Sequence, residues 1–241
     1  MKPHVTAHGQ GLPLVLFHGW GFNAQVWTTS LAALTPHYHV YLVDLPGFGS
    51  TPPMDWNSFK QTLLPQLPEK FALLGWSMGG LFATRLAIET PKRVTHLINV
   101  TSSPRFIKEG DWPGVEPDLF HLFYQQLSHQ GSQTLEQFIE LQLKDQAFDS
   151  ILFKPHEPNW IGLREGLEVL LQWDLRDALA TIQLPVLYLF GRLDSITSRH
   201  TMAKMQSRYP QFKYTMFSRA AHVPFLSHPT EFMNTLQEFL Q

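Results

Sequence analysis

A mostly parallel α/β sheet with helices on both faces and an inserted helical cap is the fold class that this sequence predicts. Three observations carry the prediction. Short apolar runs bounded by Gly, Pro or Asp alternate with stretches of helical length along most of the chain. The runs are continuously apolar, as strands buried on both faces of a parallel sheet require. One stretch, residues 105–173, carries helical patterns and no such run.

In chain order, residues 3–11 read as a short strand and a Gly9-Gln10-Gly11 turn, and Leu12–Phe17 as a buried strand ending at His18-Gly19-Trp20. Residues 24–34 read as helix. Residues 39–45 form the next strand, followed by the turn cluster Pro46-Gly47-Phe48-Gly49-Ser50. Residues 71–75 and Met78–Glu89 make a strand–helix unit that ends at Thr90-Pro91, because proline lacks an N–H and disfavours helix in the residue before it. Residues 93–101 form a further strand. Amphipathic stretches follow at 118–128, 135–146 and 162–173, with Pro113, Pro117, Pro155 and Pro158 between them. Strand 184–190, helix 197–209, strand 212–217 and helix 230–240 resume the alternation. The expected organisation is a core of residues 1–104 and 174–241 with a cap of residues 105–173.

Composition excludes several classes. The 241 residues are 44% hydrophobic and 16% charged, which supports a full core and argues against disorder. A net charge of −2 carries no strong nucleic-acid or membrane-surface signal. The absence of cysteine excludes a disulfide scaffold, a thiol nucleophile and thiolate metal sites. No signal peptide is read at Met1-Lys2-Pro3-His4-Val5, and the apolar runs are too short to span a bilayer. A cytoplasmic monomer with no nucleic-acid or membrane partner is expected.

The chemistry centres on Gly75-Trp76-Ser77-Met78-Gly79, the Gly-x-Ser-x-Gly pattern of a nucleophile elbow. A strand that turns at once into a helix crowds backbone against backbone, so the flanking positions must lack a Cβ. The serine is left exposed above the sheet edge. A serine hydroxyl needs a base to take its proton. Of twelve histidines, His222 is the best placed, in a small-residue loop after the last strand, at the edge where open α/β sheets bind ligands. The imidazole needs an acid to orient it. Asp194 follows the penultimate strand, and the order Ser77, Asp194, His222 is that of the α/β-hydrolase fold. Asp44 precedes the serine and reads as a loop-ordering residue. Asp174 and Asp177 read as helix-terminus charges. The His-Gly turn after the second strand places the backbone N–H of Trp20 beside that of Met78 as a pair of oxyanion donors. Trp20 also reads as a side chain that holds an acyl group. A serine at the elbow argues against the branches of this fold that use aspartate there.

These residues resemble the pimeloyl-acyl-carrier-protein methyl ester esterases of biotin synthesis. The resemblance spans almost the whole chain. Its more telling motifs are Gly19-Trp20, Gly75-Trp76, Trp112-Pro113-Gly114 and Ala220-Ala221-His222-Val223-Pro224-Phe225. It implies hydrolysis of the methyl ester of a pimeloyl chain carried on acyl carrier protein, with release of methanol. It also implies substrate contacts at Trp20, Ser77, Met78, His222 and the cap residues Phe138, Ile139, Glu140, Leu141 and Gln142. Family members can dock the acidic carrier through cap arginines. Here Gln133 and Gln137 flank Phe138, and residues 105–173 hold five Lys/Arg against eleven Asp/Glu, with Lys144 and Lys154 as a smaller basic patch. No metal or organic cofactor is expected. Two other readings stay open: a general carboxylesterase or C–C hydrolase acting on free small molecules, and a slow-turnover ligand-binding or signalling protein of the same fold.

Overall fold

The computed structural model describes residues 1–143 and 159–241. Seven strands, β1 (Val5–His8), β2 (Leu12–Phe17), β3 (Tyr38–Val43), β4 (Phe71–Trp76), β5 (Val94–Val100), β6 (Val186–Gly191) and β7 (Lys213–Phe217), form one sheet in the order β1-β3-β2-β4-β5-β6-β7. β1 is antiparallel to β3, with Val5 opposite Val43, and every other neighbouring pair is parallel. The apolar runs have the reason anticipated for them: β4 and β6 are buried at every residue.

Two hydrophobic cores cover the sheet. Alternate residues of β2 serve opposite faces, as the two-residue period of a strand dictates. Val15 and Phe17 point to one core, which also takes α2 (Trp56–Leu63) and α3 (Met78–Glu89). Leu14 and Leu16 point to the other, shared with Trp27, Phe225 and Leu236. A 3₁₀ turn at Ala24–Trp27 leads into α1 (Thr28–Leu34). Residues 51–70 receive no element from the sequence reading, yet they hold α2. Its signals are present: Asp55 caps the helix by accepting from Asn57 N and Ser58 N, and Trp56, Phe59 and Leu63 recur at helical spacing on the buried face. The preceding Pro52-Pro53 pair masks them.

Between β5 and β6 the described residues hold α4 (Pro117–His129), α5 (Gly131–Leu143), α6 (Trp160–Gln172) and α7 (Arg176–Leu179), with only isolated bridges at Ile107–Val115 and Glu109–Trp112. The helix expected at 135–146 starts a turn earlier, at Gly131, where a Cβ would strike the Trp160 ring. Residues 144–146 lie outside the described residues, as do Lys144, Lys154, Pro155 and Pro158. After β6 come α8 (Arg199–Arg208), α9 (Pro224–Ser227) and α10 (Pro229–Leu240).

α6 is the inserted helix that grips the rest. Asn159 caps it, accepting from Ile161 N and Gly162 N. Gly162 then lies so close to Gly47 that its Cβ would sit 2.6 Å from Gly47 Cα. One residue on, Trp20 Nε1 donates to Leu163 O at 2.8 Å, and Gly166 passes over Trp20, Phe48 and Met78. Backbone-to-backbone packing thus sets α6 directly above the loops after β2, β3 and β4.

Candidate active site

Both elbow glycines have a steric cause. A Cβ on Gly75 would lie 2.5 Å from Gly80 Cα, and one on Gly79 would lie 2.6 Å from Phe17 O. Between them Ser77 takes φ 55° and ψ −119°, with its N–H bonded to Val100 O at 2.9 Å. Ser77 and Thr101 (φ 44°) are the two non-glycine residues at positive φ among the described residues, and both stand at this site. Backbone strain of this kind concentrates where a side chain must be aimed. Ser102 Oγ donates to Ser77 O at 2.8 Å and holds the turn from behind.

Ser77 Oγ lies 2.9 Å from His222 Nε2, and His222 Nδ1 lies 2.8 Å from Asp194 Oδ2. All three residues are buried. A carboxylate only accepts, so Nδ1 carries the proton and Nε2 is free to accept from the serine. Asp194 is itself fixed: Oδ1 accepts from Ile196 N at 2.7 Å and Thr197 N at 3.2 Å, and Oδ2 also accepts from Thr197 Oγ1 at 2.6 Å. The His222 carbonyl accepts from Trp76 Nε1 and Thr101 Oγ1, each at 2.8 Å. Gly191 lets the loop cross β6, since a Cβ there would lie 2.7 Å from Ala220 O.

The loop after β2 is organised by His18. Its Nε2 accepts from Leu45 N at 2.9 Å, so its Nδ1, 2.8 Å from Gly19 O, is the donor. Burial holds the His18 pKa below the ordinary imidazole value, against the opposing pull of Asp44 and the Gly19 bond. That turn presents Trp20. Among the described residues, neither Trp20 N nor Met78 N donates to a protein acceptor.

An apolar cavity of about 230 Å³ reaches Ser77, walled by Trp20, Phe123 and Phe138 and by Leu167 and Leu170 of α6. The Trp20 ring meets Phe123 and Phe138 edge-on at 5.6 and 5.2 Å.

A family model described as alpha/beta hydrolase family matches residues 14–235. A pimeloyl-[acyl-carrier protein] methyl ester esterase of Legionella pneumophila (strain Paris) is 57% identical over 241 residues, covering 100% of both chains. One from Pectobacterium atrosepticum is 39% identical and covers 95% of this chain and 94% of its own. The chain belongs to the alpha/beta hydrolase family, among the pimeloyl-[acyl-carrier protein] methyl ester esterases. Solved structures share the fold at lower identity. An esterase from Exiguobacterium antarcticum superposes with TM-score 0.89 at 23% identity, covering 98% of this chain and 94% of its own. The enol-lactonase of Burkholderia xenovorans LB400 does so with TM-score 0.85 at 19% identity, covering 99% and 96%.

Within this hydrolase frame the sequence-named residues separate into groups. Ser77, Asp194 and His222 are hydrogen-bonded together. Trp20, Ser77, Phe138 and Leu141 line the cavity, whereas Met78, Ile139, Glu140, Gln142 and His222 are absent from its lining among the described residues. Glu140 is exposed, and Gln142 is buried with its Nε2 3.4 Å from Phe138 O. Asp44 orders its loop, accepting from Ala24 N at 2.8 Å and Ser50 N at 2.9 Å. Asp174 and Asp177 pair with Arg176 and Arg208 at the surface. Sequence reasoning missed Thr197, Trp76 and Thr101. Thr197 carried a signal: a Ser or Thr a few residues after a loop aspartate closes a local turn. Trp76 sits inside the elbow motif, but its bond to a carbonyl 146 residues away has no local trace.

Proposed function

We propose that this protein is a serine esterase that hydrolyses the methyl ester of a pimeloyl chain carried on acyl carrier protein, in biotin synthesis. The observation that carries the reading is the buried hydrogen-bonded chain Ser77–His222–Asp194 at the foot of an apolar cavity. The full-length relatives carry that substrate in their names.

His222 Nε2 takes the Ser77 proton as Oγ attacks the ester carbonyl. Trp20 N–H and Met78 N–H hold the tetrahedral oxyanion; each such donor is worth about 2.7–4 kcal/mol of barrier. The C–O bond to methanol breaks, and the methoxy oxygen takes the proton back from His222. Water, deprotonated by the same nitrogen, then attacks the acyl-serine ester and frees the carboxylate and Ser77. Asp194 holds the Nδ1–H tautomer and stabilises the imidazolium. No step runs through a metal or organic cofactor.

The methylene chain lies in the cavity against Trp20, Phe138 and Leu141. Residues 105–173 act as a cap over a core of 1–104 and 174–241, with Ile139 packed against the core behind the cavity wall. We read the protein as a cytoplasmic monomer, since its substrate is met where carrier-linked acyl chains are extended.

The test is complementation. Expression in a bacterial strain lacking this esterase step should restore growth without biotin, and the Ser77→Ala variant should not. Failure of the wild-type gene, with the protein present in the cells, would refute the proposal.

A further inference from the structure

The cavity that reaches Ser77 opens beside the loop after β6, where Ser195 is exposed and, with Ile196, forms part of its wall. Three exposed arginines lie on the same loop and the elements next to it: Arg192 three residues before Ser195, Arg199 in the first turn of α8, into which the loop leads, and Arg219 in the loop after β7. The two loops are tied together, Arg192 N donating to Phe217 O at 3.0 Å and Leu193 N to Ala220 O at 2.9 Å. Leu193, 51% exposed, follows Arg192 in that loop.

These cations do nothing evident for the fold. Arg85, Arg105, Arg176 and Arg208 all make ion pairs; among the described residues Arg192, Arg199 and Arg219 make none. The acids that touch α8, Asp111 and Asp177, are taken up by Lys204 and Arg208. Asp194, between the loops, is buried against His222. Arg199 is opposed by its own helix, because a helix N-terminus is positive and favours acids, yet the first turn of α8 has none. Unpaired arginines and an exposed leucine on the loops beside the Ser195 side of an acyl cavity complement an acidic surface with an apolar spot, whereas on the α4 side of the same cavity Glu116 is taken up by Lys108 and Asp118 is exposed. The inserted segment has glutamine at 133 and 137, so its α5 offers no arginine there.

We propose that Arg192, Leu193, Arg199 and Arg219 form the docking surface for the acidic face of the acyl carrier protein, placed on the hydrolase core rather than on the cap. The inference rests on the reading above that the substrate is carrier-bound.

The experiment compares wild type with the triple variant Arg192→Gln/Arg199→Gln/Arg219→Gln on three methyl esters of the pimeloyl chain: carrier-bound, phosphopantetheine-bound and free. On the carrier-bound ester, kcat/KM should fall roughly tenfold or more, mainly through KM, and wild type alone should slow as salt rises. The free ester should be turned over equally by both proteins. Unchanged kcat/KM and salt dependence on the carrier-bound ester would overturn the docking surface. So would equal losses on the free ester, which mean a disturbed site, or equal losses on the phosphopantetheine ester, which mean that the arginines read the phosphate. A wild type that handles carrier-bound ester no better than free ester would instead overturn the carrier-bound substrate itself, and the docking surface with it.

Discussion

Gly162→Ala should destabilise the protein, although alanine is the better helix former. Two effects of opposite sign meet at this position. Within α6 the substitution gains about 1 kcal/mol of helix propensity. Against it, the new Cβ would lie 2.5 Å from Gly47 C and 2.6 Å from Gly47 Cα, nearer still to the carbonyl oxygen. Carbon atoms pack comfortably at about 3.5–4.0 Å, so the backbones must part by roughly 1 Å. The neighbour is main chain and cannot rotate away, which puts the overpacking cost near the upper end of its range, about 3 kcal/mol. The net loss is then about 2 kcal/mol, or roughly 4–8 °C in Tm for a chain of this size. Because α6 also carries the Leu163 carbonyl that Trp20 Nε1 holds, and Gly166 above Met78, the shift reaches the proposed oxyanion donors. A misplacement of about 1 Å there costs up to about 10²-fold in kcat. Thermal unfolding and p-nitrophenyl ester hydrolysis measure both effects, with Glu165→Ala on the exposed face of the same helix as control. A Tm raised by 2–4 °C with unchanged kcat, as about 1 kcal/mol of propensity alone demands, would refute the close-approach argument.

Two further predictions follow from the site. In Asp194→Asn, the amide nitrogen faces donors on every side, from His222, Thr197 and the backbone N–H of Ile196. The imidazole then loses its tautomer, and kcat should fall about 10³–10⁴-fold in ester hydrolysis; a loss under tenfold would count against the role given to Asp194. His18 has its pKa lowered by burial, so between its folded value and about 6.5 the unfolded chain binds the extra proton. Its contribution to stability is therefore complete above about pH 6.5 and lost as pH falls below it. Tm should drop from pH 7.5 to 5.5, and His18→Gln should flatten that dependence; parallel curves for the two proteins would contradict the assignment.

What the sequence revealed followed from local rules. Continuous apolar runs mark strands buried on both faces, and the structure shows β4 and β6 so buried. Strand-end positions single out Ser77, Asp194 and His222 because a parallel sheet brings its C-terminal ends to one edge, and the three are hydrogen-bonded there. Resemblance located the family. What escaped depends on distance in the chain. The Gly47–Gly162 contact, the Trp20–Leu163 bond and the grip of Trp76 and Thr101 on the His222 carbonyl join residues more than a hundred positions apart. In the 138–142 stretch, a resemblance names five residues together, but a helix turns them to different sides. Phe138 and Leu141, three apart, share the cavity face, while Glu140 is exposed and Gln142 is buried elsewhere.

The reaction proposed for Ser77, activated by His222, is cleavage of the methyl ester of a carrier-bound pimeloyl chain. Methanol release from purified pimeloyl-acyl-carrier-protein methyl ester tests it most directly. Wild type should release one methanol per carrier with multiple turnover, and Ser77→Ala, folded by circular dichroism, should release none above background. Methanol release by Ser77→Ala at the wild-type rate, or intact substrate after incubation with active wild type, would contradict the account.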